Sequence, residues 1–365
     1  MRKFTTLLAA LSVTACAQAQ VTGGQHAFEY LNLSNSPHVS ALGGMVVANP
    51  DNDVNFIAQN PALLVPSMHT SIGLNYNIYY AGIGIMNMQY AHRAESWKTN
   101  LGFGVQYLNY GTFRQTDASG LDYGDFRAND FALNFTASRQ YLERWNYGAS
   151  VKLANSKYFD KSSLGLFADV GVTYTDTANL LTIGMVAKNV GAQVKPYTPG
   201  NYEPMPFDLR IGITKKFKHL PFRLMVVAHH LYEWDIRYNN PDDQKQNLLI
   251  ADSSQNKNKS YFADKLFRHF IFGGEILLGK YLEISVAYNH MQRAELGLDE
   301  KKGMAGFSFG GALVLPKMRI HYARSQYSIA GAYNEIGLNI NLNRWFGMGS
   351  FGEKIGWNNT YTPVM

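Results

Sequence analysis

From residue 70 almost to residue 342, apolar side chains return at every second position. Ile72, Leu74, Tyr76, Ile78 and Tyr80 alternate with Ser71, Gly73, Asn75, Asn77 and Tyr79. Leu101, Phe103, Val105 and Tyr107 alternate with Gly102, Gly104 and Gln106, and Trp145, Tyr147, Ala149, Val151 and Leu153 alternate with Asn146, Gly148, Ser150, Lys152 and Ala154. A period of two marks strands with one apolar and one polar face. The pattern recurs to give about fourteen strands of roughly 9–11 residues, the length that crosses a bilayer at a tilt of about 45°. Residues 83–92 and 269–278 fit it less cleanly.

The connections sort by parity. Segments 111–128, 155–163, 189–206, 232–268, 291–303 and 325–333 read as long loops, with one tight turn near Ala81-Gly82 on the same side. Those at 93–98, 140–144, 176–180, 216–221, 279–280 and 314–317 read as short turns. Long loops at one end and tight turns at the other are the asymmetry of outer-membrane barrels. An even strand count then places both termini on the periplasmic side and the long loops outside. Composition agrees. Only 16% of residues are charged, below the ~25% of ordinary soluble domains, and no apolar run beyond residue 15 is long enough for a spanning helix. Tyr 23, Phe 21 and Trp 5 exclude disorder. Tyr79, Tyr80, Tyr107, Tyr110, Trp145, Tyr147, Tyr174, Phe217 and Tyr281 lie near strand ends, as an interfacial girdle would. The fold expected is all-β: a transmembrane outer-membrane barrel over 69–345.

The first 19 residues read as a secretory leader. Arg2-Lys3 supplies the charge, Phe4 to Val13 the apolar stretch, and Ala17-Gln18-Ala19 the small-residue cleavage site. Val13-Thr14-Ala15-Cys16 also resembles a lipobox, so lipidation of Cys16 stays open, with ordinary cleavage favoured. That lone cysteine excludes an internal disulfide. Residues 20–68 are turn-rich, with apolar clusters instead of alternation, and read as short helices and turns plugging the barrel. Residues 346–365 read as a periplasmic tail that is not strand-like. The net charge of +6 is scattered without a basic stripe, which excludes nucleic-acid binding.

Catalytic and metal signatures are thin. His229 and His230 are neighbours on a strand and should point to opposite faces. Asp51-Asn52-Asp53 opens like a calcium loop, but Phe56 and Ala62 occupy the positions of its glycine and closing glutamate. Ser150 and His321 lack the spacing of a hydrolase motif. The chain therefore reads as a non-enzyme with no metal or cofactor. The functional surface expected from alternation is the lumen: Lys152, Asp169, Lys188, Asp208, Arg210, Glu275, Glu283, Arg319, His321 and Glu335. These charges either fill and solvate the interior or hold the plug. Strand glycines often mark bulges, which places them at Gly273-Gly274 and Gly310-Gly311.

Phe28-Glu29-Tyr30-Leu31-Asn32-Leu33, Asn35-Ser36-Pro37, Ala41-Leu42-Gly43-Gly44 and the block from Asp51 through Asn60-Pro61-Ala62-Leu63, together with Pro206-Phe207-Asp208-Leu209-Arg210, resemble the PorQ family of the type IX secretion system of Bacteroidetes. The wider FadL-like group, with PorV proteins and fatty-acid transporters, shares the barrel pattern. Asn60, Pro61 and Ala62 form the plug motif. The resemblance implies a barrel of fourteen strands without enzymatic activity, set among outer-membrane lipid and lipopolysaccharide. It further implies an anchor for PorZ within a complex with PorU and PorV, with loops 111–128, 189–206 and 232–268 as docking face. The competing reading is a FadL-like transporter of hydrophobic small molecules.

Overall fold

The computed structural model describes residues 26–236, 261–296, 303–328, 331–346, 353–355 and 361–363. The leader, Cys16 and most of the long segment after Trp234 lie outside them. Fourteen antiparallel strands close into one barrel, each paired with its neighbours in sequence. The first seven are β1 Ser71–Ile78, β2 Gly84–Ala94, β3 Thr99–Thr116, β4 Asp122–Tyr141, β5 Trp145–Tyr158, β6 Lys161–Asp176 and β7 Leu181–Lys195. The rest are β8 Asp208–Lys216, β9 Phe222–Ala228, β10 Phe270–Leu278, β11 Leu282–Asn289, β12 Phe307–Val314, β13 Met318–Ser328 and β14 Gly331–Asn341. The ring closes from Ser71↔Asn341 to Ile78↔Asn334. Closure leaves no strand edge with unpaired backbone groups, which hydrocarbon cannot satisfy.

Alternation decides which way each side chain faces. On β5, Val151 and Leu153 are 52% and 42% exposed while Lys152 is 5% exposed. Phe135, Val170, Ile211, Leu224, Ile284, Phe309 and Ile336 stand outward on seven other strands, a continuous apolar belt that water would not tolerate. No described helix is long and apolar enough to cross a membrane; the strands do so.

Strand lengths depart from the expected uniformity, from Phe222–Ala228 (7 residues) to Asp122–Tyr141 (20 residues). Most of 111–128, 155–163 and 325–333 is strand, not loop. The apolar period fades there because both faces meet water beyond the belt, yet backbone pairing continues: Arg114 lies opposite Asp125 and Phe113 opposite Phe126. The true turns at that end are as short as 159–160. Genuine long connections remain at 196–207, 229–269 and 290–306, the second ending in the helix Tyr261–Arg268 and the third opening with the helix His290–Glu295.

Two further expectations are corrected. Pairing runs unbroken through Gly273-Gly274 and Gly310-Gly311; register shifts occur instead on β3–β4, β6–β7 and β13–β14. Gly310 answers a packing demand, since a Cβ there would stand 2.5 Å from Ala41 Cβ. Beyond the helix Leu342–Phe346, the tail contains two short paired strands, Glu353–Ile355 and Tyr361–Pro363. β1 begins and β14 finishes at the short-turn end, whereas the first described residues lie at the other; the termini themselves fall outside the described residues. Ala27 N–H donates to the Pro204 carbonyl at 3.0 Å, in the connection between β7 and β8 at the opposite end. The N-terminal segment threads the lumen from end to end before β1 starts.

Candidate functional site

The segment 26–68 folds as one short α-helix, Pro37–Ala41, and four 3-10 turns. Its local geometry follows from side-chain caps. Ser36, Asp53 and Asn60 accept from the backbone N–H of Val39, Asn55 and Ala62, with Pro37 and Pro61 opening their turns. Val39, Leu42, Val46, Val47, Phe56 and Leu63 then pack against the wall residues Val186, Met225, Val227 and Ile271. The apolar clusters that broke the alternation are thus the core of a plug. Inward glycines let its backbone approach: a Cβ on Gly148 would meet the Pro61 carbonyl oxygen at 2.5 Å, and one on Gly212 would meet Val47 Cβ at 2.7 Å.

All ten lumen residues expected from alternation face inward, in distinct groups. Lys152 pairs with Asp169 at 2.6 Å and donates to Asn189 Oδ1 at 2.9 Å. Arg210 pairs with Asp208 at 2.5 Å and reaches Asn32 Oδ1 of the plug at 3.3 Å. Lys188 Nζ donates to the Ala58 carbonyl at 2.9 Å, and Glu335 accepts from Ser40 Oγ at 2.8 Å and from Asn77. Glu275 accepts from His38 Nε2 at 2.8 Å, Arg223 at 3.0 Å and Asn49 at 3.3 Å. Arg319 donates to Asp51 at 2.9 Å, with Glu283 at 3.9 Å. His321 Nε2 lies 3.9 Å from Asp53. Of the plug motif, Asn60 Nδ2 donates to the Val47 carbonyl at 2.8 Å, Pro61 lies over Gly148, and the Ala62 carbonyl accepts from Asn146. Buried charges need such partners. Burial pulls the His38 pKa down, but the Asp53 and Glu275 carboxylates outweigh it and raise it to about 10.

Other candidates resolve differently. Asp51 faces Arg319 and Asp53 faces His38, so the pair does not form a calcium loop. Among the described residues the Ser150 hydroxyl has no hydrogen-bonding partner, and His321 contacts Asn339 and Asp53, so the two do not pair. His229 and His230 do converge, with their Nδ1 atoms 2.6 Å apart. The opposite-face argument fails because β9 stops at Ala228 and His230 takes φ +53°, turning its ring back.

At the long-connection end the plug stops short of filling the lumen. A cavity of about 450 Å³ remains, lined by Tyr30, Leu33 and Met45 of the plug and by Ile85, Leu108 and Tyr110 of the wall. Tyr79, Ile83, His230 and Met291, from connections at that end, form its mouth. Burial pushes the Tyr30 phenol's pKa up, keeping it neutral. Tyr79 and Tyr110 therefore serve the cavity and not the outer girdle; the period-two count already puts Tyr110 on the face of Gln106 and Leu108. Tyr110 and Tyr158 donate to the buried Asp130 at 2.5 and 2.9 Å, fixing the wall. Ile85 and Leu108 of the cavity, like Val186, Met225, Val227 and Ile271 against the plug, are wall residues that alternation missed: apolar side chains on the inward face, a detectable exception to the polar rule.

No family model matches the chain, and no curated protein matches it. Solved structures do. A TodX monoaromatic hydrocarbon channel deletion mutant is 14% identical, with a TM-score of 0.50, covering 86% of this chain and 98% of its own. The Pseudomonas putida toluene transporter TodX is 13% identical with a TM-score of 0.49, covering 84% and 96%. A Pseudomonas aeruginosa FadL homologue is 11% identical with a TM-score of 0.46, covering 85% and 98%. The first of these carries the comparison, and at that identity it concerns the fold. The chain shares that channel's fold, a closed antiparallel barrel of fourteen strands.

Proposed function

We propose that this protein is an outer-membrane barrel that takes a hydrophobic small molecule into the cavity at its long-connection end. The carrying observation is that cavity: about 450 Å³, lined by Leu33, Met45, Ile85, Leu108 and three tyrosines. Its size and apolar lining with a few polar groups suit a single-ring or short-chain ligand. The FadL-like architecture, shared with proteins described as hydrocarbon channels, supports the same reading. Transfer beyond the cavity requires the plug to move, because the packed cluster around Leu42 and Phe56 fills the lumen below it.

That filled lumen also favours a second reading, in which the barrel anchors PorZ with PorU and PorV, as the resemblance to PorQ proteins implies. Both readings place the action at the same end. They separate on the cavity. Leu108→Trp fills it, and the account expects at least a tenfold loss of affinity for toluene or a naphthyl fluorophore, measured in nanodiscs against empty nanodiscs. Equal binding by wild type, Leu108→Trp and empty discs would remove the small-molecule reading and leave the docking one.

A further inference from the structure

We propose that His38, Asp53 and His321 form a site for a first-row divalent cation, of the zinc or cobalt type, that ties the plug to the barrel wall. Among the described residues, these are the group of three whose ligand atoms lie within 4.8 Å of one another, and all three are buried. His38 is the second residue of the helix Pro37–Ala41, Asp53 caps the next turn, and His321 stands on β13. The sequence hides the site because its ligands come from three distant positions.

The geometry is that of a prepared ligand set. Asp53 Oδ1 accepts from Asn55 N–H at 2.9 Å, Asn55 Nδ2 at 2.9 Å and Asn339 Nδ2 at 2.8 Å. That saturation leaves Oδ2 facing the two imidazoles, 2.8 Å from His38 Nδ1 and 3.9 Å from His321 Nε2. Tetrahedral zinc with bonds of about 2.0–2.1 Å separates its ligand atoms by about 3.3 Å. These two sides lie about half an ångström below and above this value, and the third side, between the two imidazole nitrogens, is within 4.8 Å. The other nitrogen of His38 lies 2.8 Å from Glu275 Oε1, the carboxylate support that orients histidine ligands and raises their basicity.

Charge and access agree with the assignment. Four carboxyl groups, Asp51, Asp53, Glu275 and Glu283, meet two arginines, Arg223 and Arg319, in this cluster. Carboxyl groups thus outnumber guanidinium groups four to two around the site, a setting that favours a bound cation. A cavity of about 200 Å³ at the short-turn end, lined by Asn52, Lys317, Arg319 and Asn339, reaches the same corner.

The test uses the full mature chain folded in detergent, stripped with chelator and titrated with Co²⁺. The expected result is about one ion per chain with visible absorption from a nitrogen and oxygen ligand set. His321→Ala abolishes it, His269→Ala retains it, and Glu275→Gln weakens it about 10–100-fold. Heat-modifiable mobility confirms that each variant is folded, and His321→Gln serves as a second, volume-conserving variant. Wild type that takes up no more Co²⁺ than His321→Gln would overturn the proposal, as would undiminished binding by a folded His321→Ala.

Discussion

Glu275→Ala is expected to loosen the plug by about 3–5 kcal/mol, the usual consequence of removing one partner from a buried charge network. Glu275 is 2% exposed and joins three groups: His38 and Asn49 from the plug, Arg223 from β9. Without it, the nearest carboxylate to Arg223 is Asp51 at 3.7 Å, and His38 Nε2 loses its acceptor. The barrel strands keep every backbone pair, so the loss falls on the plug. Hydrogen exchange of metal-free protein reads this directly: amides in the Pro37–Ala41 helix should exchange about two to four orders of magnitude faster, with β5 and β6 unchanged. Unaltered protection of that helix would show that the charge network contributes nothing to docking. Glu275→Gln, which retains hydrogen bonding and volume, should show a smaller effect.

The second large effect is steric. Gly148 and Gly171 are paired across β5 and β6, and both face the turn at Asn60–Ala62. A Cβ on Gly148 would stand 2.5 Å from the Pro61 carbonyl oxygen and 2.6 Å from its carbon. Backbone cannot step aside as a flexible side chain does. Gly148→Val should therefore cost at least the about 1–3 kcal/mol of ordinary overpacking, while the substitution itself suits a strand. Gly274→Val provides the control, since a Cβ there meets only Leu224 Cδ2 at 3.6 Å. Chymotrypsin should cleave near Phe56 in folded Gly148→Val and spare the Gly274→Val plug. Equal resistance in both would contradict the close approach of plug and wall.

These variants also show where the sequence was legible. Period-two alternation from Ser71 to Asn341 gave the strands and the inward set that includes Lys152, Glu275 and Arg319, because each strand lies between lipid and a polar interior. It failed beyond the belt. Arg114 and Asp125 carry no apolar period, yet their backbones pair, so strands run on where loops are expected. It also passed over the glycines at 148, 171, 184 and 212, which simply count as polar-face residues until the plug lies against them. The cavity was half visible: Leu108 on a polar face is an anomaly, whereas the contribution of Met291 depends on how a connection folds back. The triad of His38, Asp53 and His321 was not legible, since no spacing rule joins a helix in the plug to a strand near the chain's end.

The central claim is that successive side chains on one strand meet hydrocarbon and an enclosed interior in turn. Single cysteines at Val151, Lys152, Leu153 and Ala154, spin-labelled in the reconstituted protein, test it most directly. Collision with molecular oxygen, which concentrates in the bilayer, should be high at 151 and 153 and low at 152 and 154. A flat profile, or oxygen contact that peaks at 152 and 154, would contradict it.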